Sequence, residues 1–81
     1  MSIFDLKIDK YGNMWVYSPD KENGSIVYIF NEFGEFTHEF DYSEILKEYD
    51  CIDCLYPKGD FLLGFNRYTN NVTLFEYEII D

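Results

Sequence analysis

The chain contains no alanine and no glutamine, one tryptophan, one histidine, two cysteines and two prolines. Each shortage excludes something. Alanine and glutamine are among the residues that lose least on entering a helix, so an all-helical fold lacks its usual material. One histidine and one C-x-x-C pair cannot supply the four ligands of a structural zinc site within a single chain. No apolar run reaches the length of a membrane span. Bases are scarce too: six stand against sixteen acids, and the net charge is −10. A nucleic acid or an anionic membrane repels such a chain, whereas a basic protein surface attracts it.

What is present is aromatic and β-branched. Tyr, Phe, Trp, Ile, Val and Thr account for 31 of 81 residues. This vocabulary favours strands and excludes disorder. A chain this short buries only about 60% of the surface its unfolded form exposes. A second domain, a long lid and a large cofactor cleft are therefore not expected, and residues 1–81 are read as one domain. Residues 1–20 lack the charged-then-apolar layout of a signal peptide. The expected location is the cytoplasm, or the host cytoplasm for a phage-encoded protein, with Cys51 and Cys54 as reduced thiols. Without secretion, the glycosylation-like triplets at Asn23 and Asn71 carry no meaning.

Periodicity orders the elements. Ile3, Phe4, Leu6 and Ile8, with Asp5 and Lys7 opposite, read as a strand. Strands follow at 14–18, 25–31 and 35–40, with turns at Lys10–Asn13 and Glu32–Gly34 and a polar loop at Pro19–Gly24. In the fourth strand Phe36, His38 and Phe40 share one face, and Glu35, Thr37 and Glu39 the other. Tyr42, Ile45, Leu46 and Tyr49 then fall on one helical stripe. Asp41 and Glu44 fit a reciprocal N-terminal cap, so a short helix is predicted over 42–50. Strands return at Cys51–Tyr56, Phe61–Asn66 and Val72–Ile80, the first two joined by a turn at Pro57–Asp60. The expected fold is mainly β: one small antiparallel sheet of six to seven strands, curled into a barrel or sandwich. Its repeat-like halves, 1–40 and 51–81, are joined by the helix.

The halves align. Gly12-Asn13-Met14-Trp15-Val16 lies on Gly59-Asp60-Phe61-Leu62-Leu63 at an offset of 47, and Ser25–Ile29 on Asn71–Phe75 at an offset of 46. The stretch Ile8–Val16 followed by Val27–Phe36 resembles the β-propeller repeats of NHL and sensor proteins. The second half lacks the Trp and the closing aromatic-Gly-acid-aromatic turn. The resemblance implies blade-like halves. Two blades cannot close a propeller, which needs four or more. They must oligomerise or pack face to face.

The acids are clustered. Residues 32–53 hold Glu32, Glu35, Glu39, Asp41, Glu44, Glu48, Asp50 and Asp53 against Lys47 alone, a net −7. Glu44 and Glu48 are at i, i+4 on one helix face, where like charges repel by a few tenths of a kcal/mol. A solvated face that keeps the protein soluble explains such a cluster as readily as a binding surface does. Tyr42 adds an amphipathic ring within the segment, and these nine residues form the candidate partner-binding site.

No arrangement points to catalysis. Cys51-Ile52-Asp53-Cys54 follows the helix and is surrounded by acids that oppose a thiolate. His38 shares a strand face with two Phe and reads as a core or boundary residue. The chain is read as non-enzymatic, without cofactor or metal. Tyr11, Tyr17, Tyr28, Tyr56 and Tyr68 are interface candidates, and Trp15 with a neighbouring Tyr offers a sugar-stacking platform.

Size, charge and composition are similar to phage-encoded inhibitors that imitate DNA, including some anti-CRISPR proteins. That similarity implies a basic partner, a nucleic-acid-binding protein, and no direct contact with nucleic acid or membrane. An immunity protein against a basic nuclease toxin shares the same physics. An oligomeric propeller-like module that binds carbohydrate or another ligand is the alternative of a different class. A homodimer fits either reading.

Overall fold

The computed structural model describes residues 5–17, 25–49 and 55–80. They form seven strands and one helix. Sheet one is an antiparallel meander of β1 (Asp5–Ile8), β2 (Met14–Tyr17), β3 (Ile26–Phe30) and β4 (Phe36–Asp41). Helix α1 (Ser43–Glu48) follows. Sheet two is a second meander of β5 (Tyr56–Lys58), β6 (Phe61–Asn66) and β7 (Asn71–Glu76). The sequence predicts one sheet. The strands divide four and three instead, and neither sheet closes on itself.

Turn chemistry fixes the hairpins. Asp9 opens a five-residue turn in which its carboxylate accepts the backbone N–H of Tyr11 and of Asn13, at 2.8 and 2.9 Å. Asn31 repeats the pattern before β4, its side-chain oxygen accepting from Phe33 N–H and Glu35 N–H at 2.9 and 3.0 Å. Both turns need a left-handed residue, supplied by Gly12 and Gly34 at φ of 82° and 81°. In sheet two Gly59 is likewise left-handed, at φ 58°.

One face of each sheet meets a shared core. Trp15, Tyr17, Val27 and Ile29 come from sheet one, Leu62 from sheet two, with Leu55 and Tyr42 from the flanking segments. Trp15 is 2% exposed. Its indole N–H donates to Asp9 Oδ2 at 2.8 Å, and its ring meets Tyr77 and Phe40 edge-on at 5.9 and 6.1 Å. Tyr17 hydroxyl donates to Leu55 carbonyl at 2.7 Å. The internal offset has a geometric counterpart. Trp15 pairs with Ile29, and their equivalents Leu62 and Phe75 pair with each other. Trp15 and Leu62 are both buried.

Several strands differ from expectation. Leu6 and Ile8 face outward, 44% and 57% exposed. Register sets Lys7 opposite buried Trp15 and Asp5 opposite buried Tyr17. Lys7 forms an ion pair with Asp5 at 3.4 Å and covers the Tyr56 ring at 5.3 Å. Charges pointing inward on an edge strand discourage further strand addition. Of the predicted strand Cys51–Tyr56, residues 51–54 lie outside the described residues, Leu55 is not in a strand, and β5 begins at Tyr56. Pro57 is a buried strand residue rather than a turn residue, and the turn narrows to Gly59-Asp60. Proline is accepted there because β5 is an edge strand. Cys51 and Cys54 lie outside the described residues.

The helix is shorter than predicted. Its N-cap is Tyr42, with no side-chain cap bond. Asp41 Oδ1 instead accepts Ser43 N–H at 3.0 Å. Glu44 does not reach back to a cap but pairs with Lys47 at 3.5 Å. Tyr42, Ile45 and Leu46 pack on the core as the stripe requires, and Tyr49 meets Phe75 edge-on at 4.8 Å.

Candidate binding surface on sheet one

A β-bulge reorganises the candidate site. β3 pairs Ile29 with His38 but Phe30 with Phe36, so Thr37 is an extra residue. Its hydroxyl donates to Ile29 carbonyl at 3.1 Å. A bulge shifts the side-chain alternation by one. Phe36 therefore leaves the face of His38 and Phe40 and joins the outer face, where it is 57% exposed. There it packs against Phe30 and Tyr28, with ring centroids 5.6 and 6.4 Å apart.

The register writes out this outer face row by row. Leu6, Val16, Tyr28 and Glu39 form one row, and Ile8, Met14, Phe30 and Phe36 the next. Ile26 and Asp41 begin a third. The face is apolar from β1 to β3 and gains carboxylates only at β4. Glu32 and Glu35 lie exposed in the adjoining turn beside Phe33, which is 78% exposed. Glu35 is steadied by Asn31 Nδ2 at 3.0 Å.

The predicted site residues thus separate. Glu32, Glu35, Glu39 and Asp41 belong to the β3–β4 hairpin, and Glu44 and Glu48 are exposed on the helix. Asp50 and Asp53 lie outside the described residues. Tyr42 is 1% exposed. Its ring packs against Tyr17 and Phe40, so its aromatic area serves the core and not the surface. The aromatics that do accompany the acids are Tyr28, Phe30, Phe33 and Phe36. Of these, sequence reasoning singles out Tyr28 alone. The signal for Phe36 is the repeated Asx-turn: as the Asp9 turn sets Ile8 opposite Met14, the Asn31 turn sets Phe30 opposite Phe36; plain alternation hides it.

Among residues 32–49 acids outnumber bases. The Ser43 backbone N–H, then the Ser43 hydroxyl, hold the Asp41 carboxyl below its usual value, with Lys47 adding to the effect. Lys47 is the only base among residues 32–49, and it already pairs with Glu44.

Other features offer less. A cavity of about 220 Å³ opens between the sheets, lined by Trp15, Ile29, Phe40, Leu62, Tyr77 and Ile79 among others. Burial raises the Tyr77 phenol above its usual value, opposed by the N–H it accepts from Lys10. His38 Nδ1 lies 2.9 Å from Thr37 Oγ1 and Nε2 3.0 Å from Ile80 carbonyl. It thereby ties β4 to the segment after β7, the boundary role expected of it. Trp15, read as a stacking platform, is buried and bonded to Asp9, so it presents no face to a sugar. Among the described residues no group of three or more His, Cys, Asp or Glu is placed to hold a metal ion, and no helix is long and apolar enough to cross a membrane. No family model, curated protein or solved structure matches this chain.

Proposed function

We propose that this protein is a non-enzymatic binding protein whose acidic, aromatic face occupies a basic site on a partner, a nucleic-acid-binding protein or nuclease. In this reading the sheets pack as an open sandwich, and the molecule works in the cytoplasm, of a phage host if phage-encoded, as a DNA-mimicking inhibitor or an immunity protein. The observation that carries it is the shared outer face of β3 and β4. Glu39 and Asp41 stand in register with Tyr28 and Ile26, beside exposed Phe36. Carboxylates at strand spacing substitute for phosphates against Lys and Arg. The neighbouring rings supply the apolar anchors that charge alone lacks.

The test is capture on the immobilised protein from a cell lysate at about 0.1 M and 1 M salt, where the Debye length falls from about 10 Å to about 3 Å. The expected catch is a basic nucleic-acid-binding protein, displaced by duplex DNA and released by salt. A catch that duplex DNA does not displace contradicts the reading, as does failure to retain any basic protein at low salt.

A further inference from the structure

Sheet two also turns apolar side chains outward, and its charges are arranged differently. Register gives three rows on its outer side: Lys58, Phe61 and Glu76; Tyr56, Leu63 and Leu74; and Phe65 with Val72. Of these Tyr56 is drawn in, packing against the core beneath Lys7. Phe61, Val72 and Leu74 are 39%, 55% and 57% exposed. Nothing among the described residues covers them. The two charges at the rim, Lys58 and Glu76, have opposite sign and lie at the two ends of one row.

From this arrangement we infer that sheet two is the interface of a homodimer, in which its outer face packs against the same face of a second copy. The charges select both the occupant and the geometry. A two-fold axis in the interface plane and parallel to the strands preserves strand direction and reverses strand order. It sets Lys58 over the second copy's β7 and Glu76 over its β5. Both ends of the row then carry an opposite-charge pair, with Phe61 on Phe61 and Leu63 on Leu63 at the centre. This is also the aligned packing that twisted sheets adopt. An axis perpendicular to the strands pairs neither charge. Sheet one cannot dimerise in the same way: the corresponding operation sets the Glu39 carboxylate over Leu6 of the second copy, leaving an anion against an apolar side chain.

The footprint sets the strength. Three strands about 4.8 Å apart, over five residues of about 3.3 Å each, span about 14 by 17 Å. That is far below the ~800 Å² per partner of stable complexes, so the dimer forms reversibly and only at high concentration. Each chain also carries a net −10, and the two copies repel. Salt screens that long-range repulsion more than it weakens two contact pairs. Self-association therefore strengthens with salt, opposite to the response of an acidic face meeting a basic partner.

Sedimentation equilibrium of the full chain, from micromolar to millimolar at about 0.1 M and 0.5 M salt, tests this. The expected result is a monomer–dimer equilibrium that shifts toward dimer with salt. Lys58→Glu and Glu76→Lys alone should each weaken it about tenfold, because symmetry places each reversal in two contacts. The double reversal should restore it. Leu74→Glu, at an exposed position, should abolish it without altering the circular dichroism spectrum. A monomer throughout, species that grow beyond dimer, or a double reversal as weak as the singles each overturns the inference. None of these outcomes touches the reading of sheet one.

Discussion

Sheet one and sheet two share a hairpin plan and differ in what they turn outward. Both bury an apolar residue at the equivalent position, Trp15 and Leu62, paired to Ile29 and Phe75. Both follow a left-handed glycine. Outside, sheet one gathers Glu39 and Asp41 at one edge of an apolar field, with no base in its rows. Sheet two flanks its apolar field with one charge of each sign. An unbalanced edge calls for a partner of opposite charge; a balanced row is complementary to itself. Under the two proposals the surfaces do not compete for the same occupant, and a dimer through sheet two leaves both acidic faces free.

The comparison can be broken first at the core. Sheet one anchors its tryptophan through Asp9, which is 6% exposed and accepts three N–H donors; position 56 of the second half, equivalent by offset, is Tyr. Asp9→Ala strands the indole and two backbone donors, and should cost about 2–4 kcal/mol in urea unfolding. A loss under 1 kcal/mol would mean the turn holds without its carboxylate. The outer faces come next. Glu39→Lys with Asp41→Lys, and separately Phe36→Ala, should each weaken the partner's binding about 10- to 100-fold. Phe36→Ala should leave stability within about 1 kcal/mol, whereas the double reversal also forfeits the carboxylate that accepts Ser43 N–H and should lower the unfolding midpoint, so its folding is checked by circular dichroism before binding is compared. The same reversal at Asp60, in the turn of sheet two, should change binding less than threefold.

The helix sharpens the contrast further. Glu44 already has Lys47, so reversing Glu44 forfeits an ion pair, while Glu48→Lys relieves repulsion and raises stability by a few tenths of a kcal/mol. The smallest effect is in pH. Asp41 is depressed by the Ser43 N–H, so its contribution is complete at neutral pH and lost as pH falls below about 4. Tyr77 is raised, so its contribution holds below pH of about 10 and fades above it. Asp41→Asn should flatten the acid limb and Tyr77→Phe the alkaline limb of unfolding midpoint against pH.

Much of this fold was legible in the sequence, because the turns before β2, β4 and β6 each carry an Asx residue and a left-handed glycine, and the turn before β7 carries Asn66 and a left-handed Asn70. The helical stripe of Tyr42, Ile45 and Leu46 was legible for the same local reason. What the sequence concealed is non-local. Alternation in β1 separates Leu6 and Ile8 from Asp5 and Lys7 but does not say which set faces inward; the register to β2 puts Asp5 and Lys7 on the side of Tyr17 and Trp15 and leaves Leu6 and Ile8 outside. One inserted residue at Thr37 reverses Phe36, and nothing in the strand's own pattern reveals that. Tyr42 fits both a core stripe and an interface, and only packing against Tyr17 and Phe40 decides for the core. Of the acidic segment, composition located the charge correctly, but the division between hairpin and helix depends on which side chains the sheet places in one row.

The central claim, that the β3–β4 face meets a basic partner, is tested most directly by capture with the charge-reversed face. Wild-type protein and the Glu39→Lys, Asp41→Lys variant are immobilised at equal density and challenged with one lysate at about 0.1 M salt. The account predicts that a basic nucleic-acid-binding protein is retained by the wild type and eluted by duplex DNA, and that the variant loses it while Glu48→Lys keeps most of it. Equal retention by wild type and variant would contradict the claim and leave the acids as a solvated face.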